Sequence, residues 1–286
     1  MQEHISFSSV EEMKTICAPL FEHLPIRIFE YSRIYKNGKR SELCTNAAHL
    51  ENAFGTNRAM RRIFTPSLIA ENCHYLIIEK WINSVPKSKR QKLEEQLVSQ
   101  RELFNIGNEL VIVKHYPNYT ECFHFYADAN SSTVLNTMFN ALALLEHFVI
   151  YFVNKAHHLI QQSINMPLIQ PWLKTTEIKT SPESFLNQSS IDVESFLSST
   201  KFPRFVIQQD TLTDIYLTER EVQCGKLFTQ GYSVKEIANR LSLSTRTAET
   251  YINNIKEKLN CTRKNDVIDK LMTLGIDKFL LACNNR

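Results

Sequence analysis

Between Leu217 and Asn260 the chain is punctuated so densely that few folds can accommodate it. Thr218 stands three residues before Glu221, and Ser233 three before Glu236. Each pair is a capping box: the hydroxyl accepts from an early helical N–H and the glutamate reaches back to the cap. Leu217 with Val222, and Tyr232 with Ile237, have the spacing of hydrophobic staples across those same helix starts. Gly231 follows the first helix where a left-handed residue is wanted, and Asn260 does the same after the third. These signals predict four short helices near 218–230, 233–241, 244–259 and 263–274. Cys224, Leu227, Phe228, Ile237, Leu241, Leu243, Ala248, Ile252, Ile255, Leu259, Val267 and Leu271 supply one small core. A short helix, a tight turn and a longer helix with a polar face make a helix-turn-helix.

The stretch LTEREVQCGKLFTQGYSVKEIANRLSLSTRTAETYINNIKEKLNCTRKNDVI resembles the LuxR-type (GerE/FixJ) helix-turn-helix domain over roughly 214–276, about a quarter of the chain. The matching pieces are LTxRE, the Gly231 turn, SxKEIAxxL, SxRTxExY and NIKxKL. The resemblance implies a third helix that enters the major groove and a fourth that contributes to dimerisation. It assigns base contacts to Glu249, Thr250 and Asn253. Asparagine pairs with adenine at two points and glutamate accepts from cytosine. Arg246, Lys256, Lys258, Arg263 and Lys264 are the expected phosphate partners, with Ser233, Lys235 and Ser244 at helix N-termini. Glu249 stands where many relatives carry a basic residue. It either reads a base or pairs with Arg246 at i,i+3. Gly225 replaces a leucine, at roughly 1 kcal/mol of helix propensity.

Upstream, Val10, Met13, Ile16, Leu20 and Leu24 have helical spacing. A hairpin is predicted around Asn37–Gly38 and a second around Pro117–Asn118. NAAHLENAF reads as a short helix, 75–82 as strand or helix, and 87–104 as a helix. One long helix is expected from Val134 to Gln162. The fold class is therefore α+β for residues 1–162, an antiparallel sheet flanked by helices with a sensor or dimerisation role, followed by an all-α four-helix domain over 214–286. Residues 163–213, rich in Ser and Thr and broken by Pro167, Pro171, Pro182 and Pro203, read as a linker with one short helix near 191–199. The N-terminal layout is similar to that of the acyl-homoserine-lactone-binding members, without their Trp, Tyr and Asp constellation. Tyr116, Tyr119, Phe123, Phe125 and Tyr126 are the candidate lining of an apolar ligand pocket; the bland alternative is a plain aromatic core.

Several classes are excluded. Seven scattered cysteines with no CxxC argue against a disulfide framework or zinc cluster. No GxGxxG or GxxxxGK[ST] occurs, and His147, His157 and His158 lack ligand-spaced partners, so no metal, no cofactor and no catalytic site is expected. Cys122, His124 and Asp128 share one strand and its turn, and alternation separates them. The apolar run 138–153 contains Asn140, Glu146 and His147 and reads as a buried helix, not a membrane span. From Asp214 onward the chain holds 12 Lys and Arg against 9 acids, and 21 of each before it, so its charge of +3 lies in that segment. The expectation is a cytoplasmic, non-enzymatic transcriptional regulator that binds a pseudo-palindromic operator in double-stranded DNA as a homodimer. RNA polymerase is an expected partner and a small-molecule signal a candidate one. The rival is an interaction protein or anti-activator that keeps the fold, forms mixed dimers and no longer binds DNA.

Overall fold

The computed structural model describes residues 4–54, 64–168, 191–202, 204–207 and 215–280. The chain divides into two compact units: residues 1–142 with 158–192, and residues 143–157 with 193–286.

Unit 1 opens with α1 (Ile5–Ser8) and α2 (Val10–His23), whose predicted apolar stripe buries Val10, Met13 and Leu20. Its sheet contains β1 (Ile28–Tyr35), β2 (Arg40–Cys44), β3 (Tyr75–Ile77), β4 (Ile106–His115) and β5 (Tyr119–Asp128) in the order β2-β1-β5-β4-β3. Every pairing is antiparallel. Both predicted hairpins form: Gly38 takes φ 82° in the first turn, and Tyr116 donates to the Tyr119 carbonyl at 3.0 Å across the second. The ambiguous segment 75–82 is both things in turn, β3 and then α4 (Ile78–Trp81). Between them and β2 lies α3 (Ala47–Phe54), and α5 (Lys87–Phe104) precedes β4.

Period-two alternation gives the sheet two unlike faces. On one, Phe29 opposes Phe125 and Tyr31 opposes Phe123, with ring centroids 5.2 and 5.4 Å apart. On the other, Glu30 opposes His124 and Ser32 opposes Cys122. This second face is unusually polar for a buried surface. His124 lies between Glu109 (2.6 Å) and Ser32 (3.2 Å), Arg40 binds Glu42 (2.6 Å), and His49 sits 3.3 Å from Glu30. All seven are buried, beside an apolar cluster that includes Ile34, Phe64, Trp81 and Val113. Such groups are tolerated in a core because charges are paired there.

The expected long helix over 134–162 is instead three: α6 (Val134–Asn140), α7 (Leu142–Lys155) and α8 (His157–Asn165), broken at Ala141 and Ala156. Periodicity in an apolar stretch does not register a one-residue change of direction. Among the described residues no single helix is long and apolar enough to cross a membrane.

Unit 2 takes in nearly all of α7 together with α9 (Val193–Ser199), β6 (Arg204–Ile207), β7 (Ile215–Thr218), α10 (Glu219–Thr229), α11 (Val234–Arg240), α12 (Thr245–Lys258) and α13 (Lys264–Thr273). The short helix predicted near 191–199 is present as α9, while most of the expected linker, residues 169–190, 203 and 208–213, lies outside the described residues. Within it β6 pairs antiparallel with β7, which lies just beyond it, with Phe205 opposite Leu217.

Candidate nucleic-acid interface

Local chemistry sets each helix of the C-terminal unit. At α10, Thr218 Oγ1 accepts from the Glu221 N–H (3.4 Å), and the Glu221 carboxylate accepts from the Thr218 N–H (2.7 Å). At α11, Ser233 and Glu236 do the same at 3.4 and 2.8 Å. The hydroxyl and N–H of Ser233 hold the Glu236 carboxyl below its usual pKa. Gly231 adopts φ 90° and Asn260 φ 49°, the left-handed stops read from the sequence. The turn between α11 and α12 closes with the Leu243 N–H donating to the Ala238 carbonyl at 2.8 Å. It requires φ 55° at Ser242, a conformation L-residues adopt at a cost.

Ser244 caps α12, its Oγ accepting from the Thr247 N–H at 3.0 Å. Ala248, Ile252 and Ile255 are buried on one side of this helix, and Leu259 is buried just past its end. Arg246, Glu249, Thr250 and Asn253 are exposed, on positions three and four apart that share the other side. The predicted core forms throughout, with Leu241 and Leu243 half-buried at the turn and the other members buried.

The structure sorts the predicted contact residues. Glu249 and Arg246 do not pair with each other: among the described residues neither enters an ion pair, so the i,i+3 alternative is not what the helix adopts. The Thr250 hydroxyl donates to the Arg246 carbonyl at 3.0 Å on the exposed side of the helix. Lys235 and Arg263 are exposed, Lys256 is half-buried, and the Lys264 ammonium lies 5.2 Å from the Phe228 ring centre. The hydroxyls of Ser233 and Ser244 are spent on their caps.

Lys258 is the departure. Its ammonium donates to both oxygens of the buried Glu221 carboxylate, at 2.9 and 2.6 Å, and it lies 5.3 Å from the Tyr216 ring centre. Burial alone would raise the pKa of Glu221. The Lys258 ammonium, with the N–H and hydroxyl of Thr218, outweighs it and holds the carboxyl below its ordinary value. Lys258 therefore joins α12 to the start of α10 instead of standing free for phosphate. The capping glutamate and this lysine are 37 residues apart, so no local spacing rule connects them.

Of the five aromatic residues predicted to line a pocket, Tyr119, Phe123 and Phe125 share one face of the sheet, with Tyr116 stacked on Tyr119, and Tyr126 lies on the other. Phe123 and Phe125 are buried on the aromatic face of the sheet, whereas Tyr126 lies on the polar face, 4.9 Å from the His49 ring. Tyr116 and Tyr119 stack 4.6 Å apart at the hairpin end, where Arg33 covers Tyr119. Alternation places 123 and 125 on one side and 126 on the other. The buried polar groups of the second face are what the sequence reading missed. A period-two pattern assigns a residue to a face but does not show that polar residues from four strands and a helix meet there.

Residues 216–271 match the family described as bacterial regulatory proteins, luxR family. Two curated relatives are the HTH-type quorum sensing-dependent transcriptional regulators VjbR of Brucella abortus (strain 2308) and Brucella suis biovar 1 (strain 1330). Each is 40% identical over 60 residues, 21% of this chain. The chain spans 23% of the length of these relatives. Among solved structures, Escherichia coli SdiA is 12% identical, with 96% of this chain and 93% of that one covered at a TM-score of 0.33. SdiA in complex with octanoyl-rac-glycerol is 12% identical, with coverage of 98% and 92% at a TM-score of 0.32. At those scores the likeness to SdiA carries no weight beside the 40% identity over the C-terminal helices. Capping boxes, left-handed stops, buried core and outward polar face coincide with the matched segment, and the chain carries a luxR-family helix-turn-helix domain at its C-terminus.

Proposed function

We propose that the chain is a transcriptional regulator that binds a pseudo-palindromic operator as a homodimer through α12. The observation that supports this best is the division of α12. Ala248, Ile252 and Ile255 anchor one side, while Arg246, Glu249, Thr250 and Asn253 present hydrogen-bonding groups on the other with no ion pair between them. In this reading Asn253 and Glu249 read base edges, with Thr250 beside them. Lys235, Arg246, Lys256, Arg263 and Lys264 meet phosphates. Lys258 has no part in it, being bound to Glu221. Two-fold dimers read half-sites about 34 Å apart, one turn of the duplex.

Unit 1 is the regulatory part of the same reading. Nδ1 of the buried His49 has no hydrogen-bond partner, and Nε2 has only the Glu30 carboxylate 3.3 Å away, which is unusual for a buried polar group. A small polar effector meeting His49 on that face would satisfy it. Native mass spectrometry of the purified chain, before and after denaturation, tests for such a molecule.

Titrating the full chain with promoter DNA tests the DNA-binding reading. Affinity that falls steeply with salt supports it. Asn253→Ala should cost about 1–3 kcal/mol on the cognate site and relax preference at one base pair. No binding at low salt would leave the interaction-protein reading, to which the acid at Glu249 is better suited.

A further inference from the structure

Glu249, Asn253 and Glu257 stand four residues apart on α12, and all three are exposed. Residues at i, i+4 and i+8 form one row along a helix, with a step of about 6 Å. The row therefore carries an acid, an amide and an acid, and the amide is the proposed adenine reader. Nothing inside the protein accounts for Glu257. Other acids of these helices are occupied: Glu219 accepts from the Gln223 amide at 3.2 Å, and Glu221 and Glu236 close their capping boxes. The Glu257 carboxylate, like that of Glu249, has no hydrogen bond or ion pair among the described residues. It also stands in the last turn of α12, where the helix dipole disfavours an anion. On a helix offered to a polyanion it is worse placed still. Because Lys258 is bound to Glu221, Arg246 and the half-buried Lys256 are the cations α12 has left for DNA, and the two acids cancel them.

We infer that Glu257 is a specificity-determining residue, and that the row Glu249–Asn253–Glu257 reads an adenine flanked by two cytosines. An acid in the groove is repelled by phosphate on every sequence. It recovers that loss only where a base amino group donates to it. Cytosine N4 is such a donor in the major groove. Guanine offers only acceptors there, thymine an acceptor and a methyl group, and adenine a donor beside an acceptor. The row thus admits cytosine at its outer positions and rejects guanine. A face without net charge also withholds the sequence-independent attraction that would blur the choice. A step of about 6 Å against a base-pair rise of about 3.4 Å puts the three contacts about two base pairs apart.

The inference rests on the DNA-binding reading above, and the test keeps the two apart. The full chain and its variants Glu257→Ala and Glu257→Gln each select from a duplex library with a randomised half-site. Each is then titrated at low salt with the duplex the parent selects and with a scrambled one. Neither substitution removes an intramolecular contact, so both variants keep the fold. The parent should enrich adenine with a cytosine about two base pairs to either side. Glu257→Ala should lose the cytosine on one side and keep the other two preferences. Glu257→Gln keeps an acceptor and gains a donor, so it should shift that one position toward adenine. Both should bind the scrambled duplex about two- to fivefold more tightly, the size of one exposed charge interaction, so the ratio of selected to scrambled affinity falls. A parent that binds DNA, with variants that select the same sequence, overturns the inference and leaves the DNA-binding reading standing. That holds even if scrambled binding rises, since the acid then only repels phosphate. A parent that binds no DNA overturns both.

Discussion

At Gly225 an added methyl group would meet Leu271 Cδ1 at 3.4 Å and Ile255 Cδ1 at 3.6 Å, ordinary contact distances. The space a larger side chain would fill is taken by those two side chains, which explains a glycine in the middle of α10. Gly225→Ala fits the gap and recovers helix propensity, so it should stabilise the domain by about 0.5–1 kcal/mol, read as a higher midpoint in urea. Leucine at the same position should lower that midpoint, because it must displace Leu271. Lys258→Ala is expected to act on the fold. It strands the buried Glu221 carboxylate at the α10 cap and should cost about 1–3 kcal/mol of stability. A variant that kept its stability and lost DNA affinity on all sequences alike would return Lys258 to the phosphate-binding set.

Helix ends were legible in the sequence because their causes lie within four residues. Thr218 with Glu221, Ser233 with Glu236, Gly231 and Asn260 each do in the structure what their spacing implies. The two hairpins were legible for the same reason. What joins distant segments was not: the β6–β7 pairing, the link from Lys258 to Glu221, the meeting of Glu30, His49, Glu109 and His124, and the allegiance of α7 to the C-terminal unit. α7 has a testable consequence through His147. Burial, with Lys226 nearby, lowers its pKa from 6.5 to about 4. The unfolded chain then binds the proton more readily than the folded one, so stability is complete above pH 6.5 and falls as pH drops toward 4. The loss amounts to about 3 kcal/mol at 1.36 kcal/mol per pKa unit. His147→Gln keeps a donor and an acceptor without titrating. Its stability should lack this fall between pH 6.5 and 4 in denaturant titrations, and an identical pH profile in both proteins would place the titrating group elsewhere.

Over the whole molecule the charge is unevenly shared. The +3 of the sequence resides from Asp214 onward, in the segment that carries α10 to α13, while the rest of the chain is balanced. A surplus of three charges gives weak long-range steering, so affinity for DNA must come from contacts placed at short range. Five cationic side chains, those of Lys235, Arg246, Lys256, Arg263 and Lys264, are the proposed phosphate partners on each protomer. If each releases one counterion, the logarithm of the binding constant falls against the logarithm of salt with a slope of about −4 to −5 per protomer, and about −9 for two protomers on a full operator. The ratio between a full site and an isolated half-site is more telling than either value, because it does not depend on the number of contacts per protomer. A ratio near two, with half-sites spaced by one helical turn, is the expected result for a two-fold dimer. A ratio of one would mean that a single protomer occupies the operator, and a slope near zero on both would mean that the outward face of α12 serves something other than DNA.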